Sequence, residues 1–265
     1  MTNYDKKQNF IYFQRNALHM LYYYNGTYSE TAPLIPATDR GFTLGDGCFT
    51  TLKIQNGQPQ YLTDHFVRLA HHLDILAMPF MLDHAYYHQI IETMIERTHY
   101  KNGVMRIMIS RGIQAQRGLS PSNNAQPNIV ISLSPILSHQ TVDMLTACIS
   151  PIKRNPTSPL SQIKSTSSYL DNILSLKYAE AQGCNEALLL NTNDEACCFT
   201  IGNLLIETQD NKWFSPPPAS GCIQGITLKH LPYDITYTPI TLDMIKTAKN
   251  IYRTNSVAGM ISINM

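Results

Sequence analysis

Charge is the first thing this sequence lacks. Of its 265 residues only 15% are charged, and they balance to a net +1. That leaves no basic face for nucleic acid and no polybasic stretch for a membrane surface. Long apolar runs are missing too, since none approaches the roughly 18 residues that would span a bilayer. The opening MTNYDKKQNF (Met1–Phe10) has no apolar centre of the kind a secretory leader carries, so a cytoplasmic protein is expected. Six cysteines (Cys48, Cys148, Cys184, Cys197, Cys198 and Cys222) form neither CxxC pairs nor a disulfide framework; they read as reduced thiols, and no metal is expected. There is no internal repeat and no low-complexity tract. What remains is a small molecule as partner. The 43% hydrophobic content can bury one large core or two modest ones with a cleft between them.

Residues 1–17 read as a polar extension. LHMLYYYNG (Leu18–Gly26) predicts a strand entering an Asn25-Gly26 turn, the opening of a hairpin. Leu62, Phe66, Leu69, Leu73 and Leu76 recur at steps of four and three, the apolar stripe of a helix with Thr63 as N-cap and Pro79 as its stop. Arg68 lies off that stripe. A second helix is predicted over Tyr86–Thr98, and VMRIMIS (Val104–Ser110) alternates as a strand that turns Arg106 away from Met105, Ile107 and Ile109. RGLSPSNNAQPN (Arg117–Asn128) has the composition of a loop. It places the domain boundary: an N-terminal α+β domain over 18–117, a connecting loop over 118–127, and a mainly β domain over 128–265. Past it, strands are predicted near Ile129–Leu133 and Leu145–Pro151. The loop RNPTSPLSQ, Lys164 and a helix from about Ser167 to Gln182 follow, with Gly183 closing the helix. His84 and His88 stand four apart on a helix, as two metal ligands would, but lack a third; a solvated helix face is the simpler reading for them and for His71-His72.

Lys164 carries the chemistry. An amine between a loop and a helix start can be held in a pocket, where desolvation lowers its pKa and frees it to attack a carbonyl. Position alone does not separate it from a solvated surface lysine. The order of motifs does. DRGFTLGDGCFTT (Asp39–Thr51), DHFVRL around Arg68, ISRG with a second RG six residues later, RNP before the lysine, NEALLLN, GNLL and GIT follow one another along the chain. In this the sequence resembles the fold type IV enzymes of pyridoxal 5′-phosphate (PLP), from about Leu21 to Ile263. That family includes branched-chain and D-amino acid aminotransferases and aminodeoxychorismate lyases.

The resemblance implies a mixed α+β, two-domain fold like that of D-amino acid aminotransferase, a homodimer, and PLP in the cleft, covalently held by Lys164. It implies that Arg68, the GIT turn (Gly225, Ile226, Thr227) and Ser256 bind the cofactor phosphate, and that Tyr169 contacts the ring oxygen. Singly, Arg68, Thr227, Ser256 and Tyr169 each have a structural reading as surface, turn or helix-covering residues; the family order is what groups them. Gly41, Gly45 and Gly47 read as backbone accommodations beside the site. Arg106, Arg111 and Arg117 are candidates to grip substrate carboxylates, with structural salt bridges an equal alternative.

One position departs from the pattern. The family carries a glutamate facing the pyridine nitrogen five residues before the asparagine of the GNLL segment; Asn203 fixes that register, and Cys198 stands there instead. Glu195 could replace it only if the strand shifts. A thiol keeps the ring nitrogen less well protonated, which weakens transamination more than an elimination driven by aromatisation. Thr50, where transaminases commonly carry an acidic residue, points the same way and is a candidate substrate contact. The expected activity is therefore aminodeoxychorismate lyase, forming 4-aminobenzoate and pyruvate in folate biosynthesis. The alternatives are a D-amino acid or branched-chain aminotransferase, and a family member that has lost PLP.

Overall fold

The computed structural model describes residues 20–114, 117–122, 125–136 and 144–265; the polar extension expected over 1–17 lies outside them. A hairpin opens the fold, β1 (Leu21–Tyr24) and β2 (Thr27–Ser29). Asn25 and Gly26 between them both take left-handed φ, 43° and 98°, the geometry a two-residue turn needs to match the twist of its strands. The short α1 (Arg40–Leu44) leads into β3 (Gly47–Gln55) and β4 (Gln58–Pro59). Two helices, α2 (Leu62–Ile75) and α3 (His84–Thr98), precede β5 (Asn102–Ser110) and β6 (Asn128–Pro135). The strands form one antiparallel sheet in the order β2-β1-β6-β5-β3-β4.

The apolar stripe of α2 does what its spacing predicts. Leu62, Phe66, Leu69 and Leu73 pack with Ile90, Ile91 and Met94 of α3 onto Leu52, Ile107 and Ile131 of the sheet. Full burial of each such side chain contributes about 1.5–3 kcal/mol. Thr63 is not the N-cap: that position falls two residues earlier, at Tyr61, whose φ is 54°.

The second half contains β7 (Met144–Ile149), the helix α4 (Tyr169–Ala181), β8 (Glu186–Leu190), β9 (Ala196–Phe199) and β10 (Gly202–Glu207). Then come β11 (Trp213–Ser215), the one-turn α5 (Ile226–Lys229), β12 (Ile235–Tyr237), α6 (Leu242–Thr247), β13 (Asn250–Asn255) and β14 (Gly259–Asn264). The sheet runs β12-β11-β10-β13-β14-β7-β8-β9, and a further β9–β10 pairing closes six of its strands into a barrel. Leu188, Phe199, Leu204, Ile206 and Ile263 fill its core. Asn203 pairs with Cys198 across the closing seam.

The boundary differs from the one the loop composition suggested. β6 hydrogen-bonds to both β1 and β5, so the first sheet is complete only at Pro135. Asn128 already opens a strand of the first sheet, and the two sheets part between β6 and β7.

Candidate active site

A cavity of about 480 Å³ opens where the barrel meets β3 and α2. Lys164 reaches it because its loop is stitched to the first sheet. Phe49 N–H donates to Lys164 O (2.9 Å), Thr166 N–H to Gly47 O (2.9 Å), and the Thr166 hydroxyl to Gly45 O (2.7 Å). Gly47 is required here, since a Cβ would stand 2.7 Å from Ile109 O. The Lys164 Nζ donates to Tyr169 Oη at the start of α4 and lies 4.7 Å from the centre of the Phe49 ring. Burial, then the charges of Arg68 and Arg106, lower the amine's pKa to about 7. Burial pushes Tyr169 up to about 12, so its phenol stays protonated.

Arg68 enters from α2. Its Nη2 donates to the Thr50 hydroxyl (2.9 Å) and its Nη1 to Gln224 O (3.4 Å). Thr50, accepting from Arg68, has its own proton free for Nδ1 of His65, 2.7 Å away. Burial, then Arg68, lowers His65 to about 3, so the ring is neutral. Thr50 thus corrects the expectation of a substrate contact. It is fully buried on the α2 side of β3, while its neighbours Phe49 and Thr51 line the cavity, as strand alternation requires. His72 corrects another. Only His71 faces solvent; His72 is 1% exposed and its Nδ1 accepts the Lys164 backbone N–H at 3.3 Å. Burial lowers it, too, to about 3. His84 and His88 are exposed.

The barrel supplies the opposite side. Gly225, Ile226 and Thr227 line the cavity at the start of α5, and Ser256 lines it from the β13–β14 turn. Asn203 holds this region by donating to Ile223 O (2.6 Å), and a Cβ on Gly225 would stand 2.3 Å from the Asn203 amide oxygen. Cys198 lines the cavity from the barrel seam. Glu195 does not: its carboxylate accepts from Asn191 Nδ2 (2.8 Å) in the β8–β9 turn, outside the cavity lining. A hydrogen bond from Cys197, which outweighs burial, and then the charge of Arg154 lower the Cys198 pKa.

Among the predicted arginines, Arg106 lines the cavity with its guanidinium 4.0 Å above the Phe49 ring, a cation–π contact. Arg111 is elsewhere. It is buried, pairs with Asp46 Oδ2 (2.8 Å) and donates to the carbonyls of Leu76 and Ala77, tying the end of α2 to the sheet. Against the cost of burial, Arg111 and Arg40 hold the Asp46 carboxyl below its usual range. Arg117 is exposed and outside the cavity lining.

Sequence reasoning passed over several lining residues. Arg154, seen only as part of the RNP motif, is buried and donates to Gly221 O (2.8 Å), Asn172 Oδ1 (3.0 Å) and Ser161 O (3.3 Å). Arg253 pairs with the fully buried Glu186 at 3.1 Å. Thr51 could have been found from the parity of β3; nothing in the sequence signalled Arg253.

Residues 47–264 match the model of a family described as "Amino-transferase class IV". The chain belongs to this family. It is PLP-dependent, and its fold is fold type IV. The aminodeoxychorismate lyase of Vibrio harveyi is 26% identical over 87% of this chain and 86% of its own length. The branched-chain amino acid aminotransferase of Escherichia coli superposes with a TM-score of 0.84 at 18% identity, covering 92% of this chain and 85% of that one. The 4-amino-4-deoxychorismate lyase of Pseudomonas aeruginosa does so at 0.79 and 23%, covering 92% and 90%.

The site of this class IV chain fits an anionic cofactor. Arg68, Arg106, Arg154, Lys164 and Arg253 line the cavity, and no aspartate or glutamate does among the described residues. Arg68 Nε and Thr254 Oγ1 are buried there without partners, donors that an anion could satisfy.

Proposed function

We propose that this chain is a PLP-dependent lyase that converts 4-amino-4-deoxychorismate to 4-aminobenzoate and pyruvate. The observation that carries this reading is the floor of the cavity, where Cys198 stands and no carboxylate lines the wall among the described residues. Bound PLP supplies an electron sink for the carbon bearing the substrate amine. A thiol in place of a carboxylate weakens that sink, which slows transamination more than a reaction driven by forming an aromatic ring.

In this reading Arg68, the N–H groups of Ile226 and Thr227, the Thr227 hydroxyl and Ser256 hold the phosphate. Lys164 would hold the cofactor at its carbonyl carbon, and its amine, whose pKa burial lowers to about 7, stands ready to take a proton from the amine-bearing carbon of the substrate. Tyr169 orients that amine through its hydroxyl. Arg106, stacked on Phe49 and open to the cavity, meets a substrate carboxylate.

The proposal includes a homodimer. Leu34, Phe42 and Leu119 are 93, 76 and 83% exposed, large apolar side chains that a partner subunit would cover.

The test is to supply PLP and 4-amino-4-deoxychorismate and measure 4-aminobenzoate and pyruvate. Equal yields of both are expected. Absence of both, with keto acid formed from a branched-chain or D-amino acid and an acceptor, would move the chain to the aminotransferases.

A further inference from the structure

The anion-binding part of the cavity is assembled from two domains. Arg68 comes from α2 of the first; Gly225, Ile226 and Thr227 come from the start of α5 in the second. Charge-assisted bonds to one anion need donors at about 2.7–2.9 Å, so both halves must be held at a fixed separation. A cluster just outside the cavity joins them. Asp64, one turn before Arg68 on α2, accepts from Lys229 Nζ and from His230 Nε2, each at 2.6 Å through a different oxygen. Lys229 and His230 follow Thr227 by two and three residues. The Tyr61 ring stacks on the His230 ring, centroids 3.7 Å apart and planes 9° from parallel. Tyr61 sits there with φ at 54°, a backbone region that side-chain-bearing residues rarely enter. None of the four residues lines the cavity.

We infer that Tyr61, Asp64, Lys229 and His230 form an interdomain clasp that sets the spacing of the phosphate cradle, acting as positioning residues for PLP retention. The inference rests on the cofactor reading given above. Because the clasp acts on the cradle, it governs the grip on a phosphate and leaves the lysine end of the cavity alone.

The experiment compares PLP with pyridoxal, which lacks the phosphate, by titrating each into the full-length apo chain and following visible absorbance. Asp64→Asn is expected to weaken PLP binding five- to tenfold, the scale of losing two partly exposed contacts to one carboxylate, and to leave pyridoxal binding within twofold. Tyr61→Ala, which keeps both contacts, gives a smaller loss in the same direction; Tyr61→Phe, which keeps the stack, gives none. PLP affinity unchanged in Asp64→Asn and Tyr61→Ala overturns the clasp, and so does an equal loss for PLP and pyridoxal, the sign of general loosening. If the wild-type chain takes up neither ligand, the cofactor reading falls and the clasp with it.

Discussion

On the α2–β3 side of the cavity, the groups hydrogen-bonded to Arg68 and to the Lys164 backbone from behind are neutral. Thr50 and His65 stand behind Arg68, and His72 behind the Lys164 backbone, each through a hydrogen bond to an uncharged ring or hydroxyl. On the barrel side the supports are charges. Glu186 and Arg253 pair under the floor, and Arg154 spends its guanidinium on three neutral oxygens. The contrast follows from what each side presents. Among the described residues no carboxylate lines the cavity to hold the Lys164 amine protonated, so burial and the nearby arginines keep its pKa low. The barrel carries a buried ion pair, which is tolerable only while both partners remain.

The largest effect should come from the group both sides surround. Lys164→Ala removes the proton-transfer amine and is expected to lower lyase turnover by at least about 10²–10⁴-fold, read as initial rate of 4-aminobenzoate release. Next, Glu186→Gln leaves Arg253 buried without its counter-charge. A loss of about 3–5 kcal/mol in a denaturant titration is expected; a value within about 1 kcal/mol of wild type, the scale of an exposed pair, would mean the two sides do not differ as described.

Thr50→Val on the opposite side breaks a neutral chain. It should cost about 1–3 kcal/mol, and weaken PLP uptake because Arg68 loses its orienting acceptor. The acid limb of the stability profile is the gentler probe. His65 and His72 have pKa values of about 3 in the folded chain against an ordinary 6.5. Below 6.5 the unfolded chain therefore binds protons that the folded chain refuses, and stability falls as pH drops from about 6.5 toward 3. His72→Gln, which keeps an acceptor for the Lys164 N–H but does not titrate, should flatten that limb. Glu195→Gln should leave cofactor spectrum and turnover unchanged, since its carboxylate serves only the β8–β9 turn.

Much of this was legible in the sequence where one local rule governs. The Asn25-Gly26 turn and the α2 stripe follow from backbone preference and periodicity, and Lys164, Arg68, Gly225–Thr227 and Ser256 converge on one cavity as the order of motifs implied. What was missed depends on facing. Thr50 and Thr51 are equivalent by composition, and only the side of β3 that meets α2 separates them. His71 and His72 read together as a solvated helix face, yet on a helix adjacent residues point about 100° apart, and only His71 is exposed. Arg111 reads like Arg106 in sequence, but Asp46, which fixes it, is 65 residues away. The domain boundary failed for a similar reason: loop composition marks where the chain turns, whereas the sheet to which β6 belongs is set by pairing with β1, about a hundred residues earlier.

The central claim is that one desolvated amine, lowered in pKa by burial and the nearby arginines, takes the cofactor. The direct measurement is to load the chain with PLP at pH 8, reduce it with borohydride, and locate the phosphopyridoxyl label by peptide mass spectrometry. The account predicts the label on Lys164, with its yield rising through a midpoint near pH 7 as loading pH is varied. Label spread over exposed lysines, or a midpoint at the ordinary lysine value near 10.5, would contradict it.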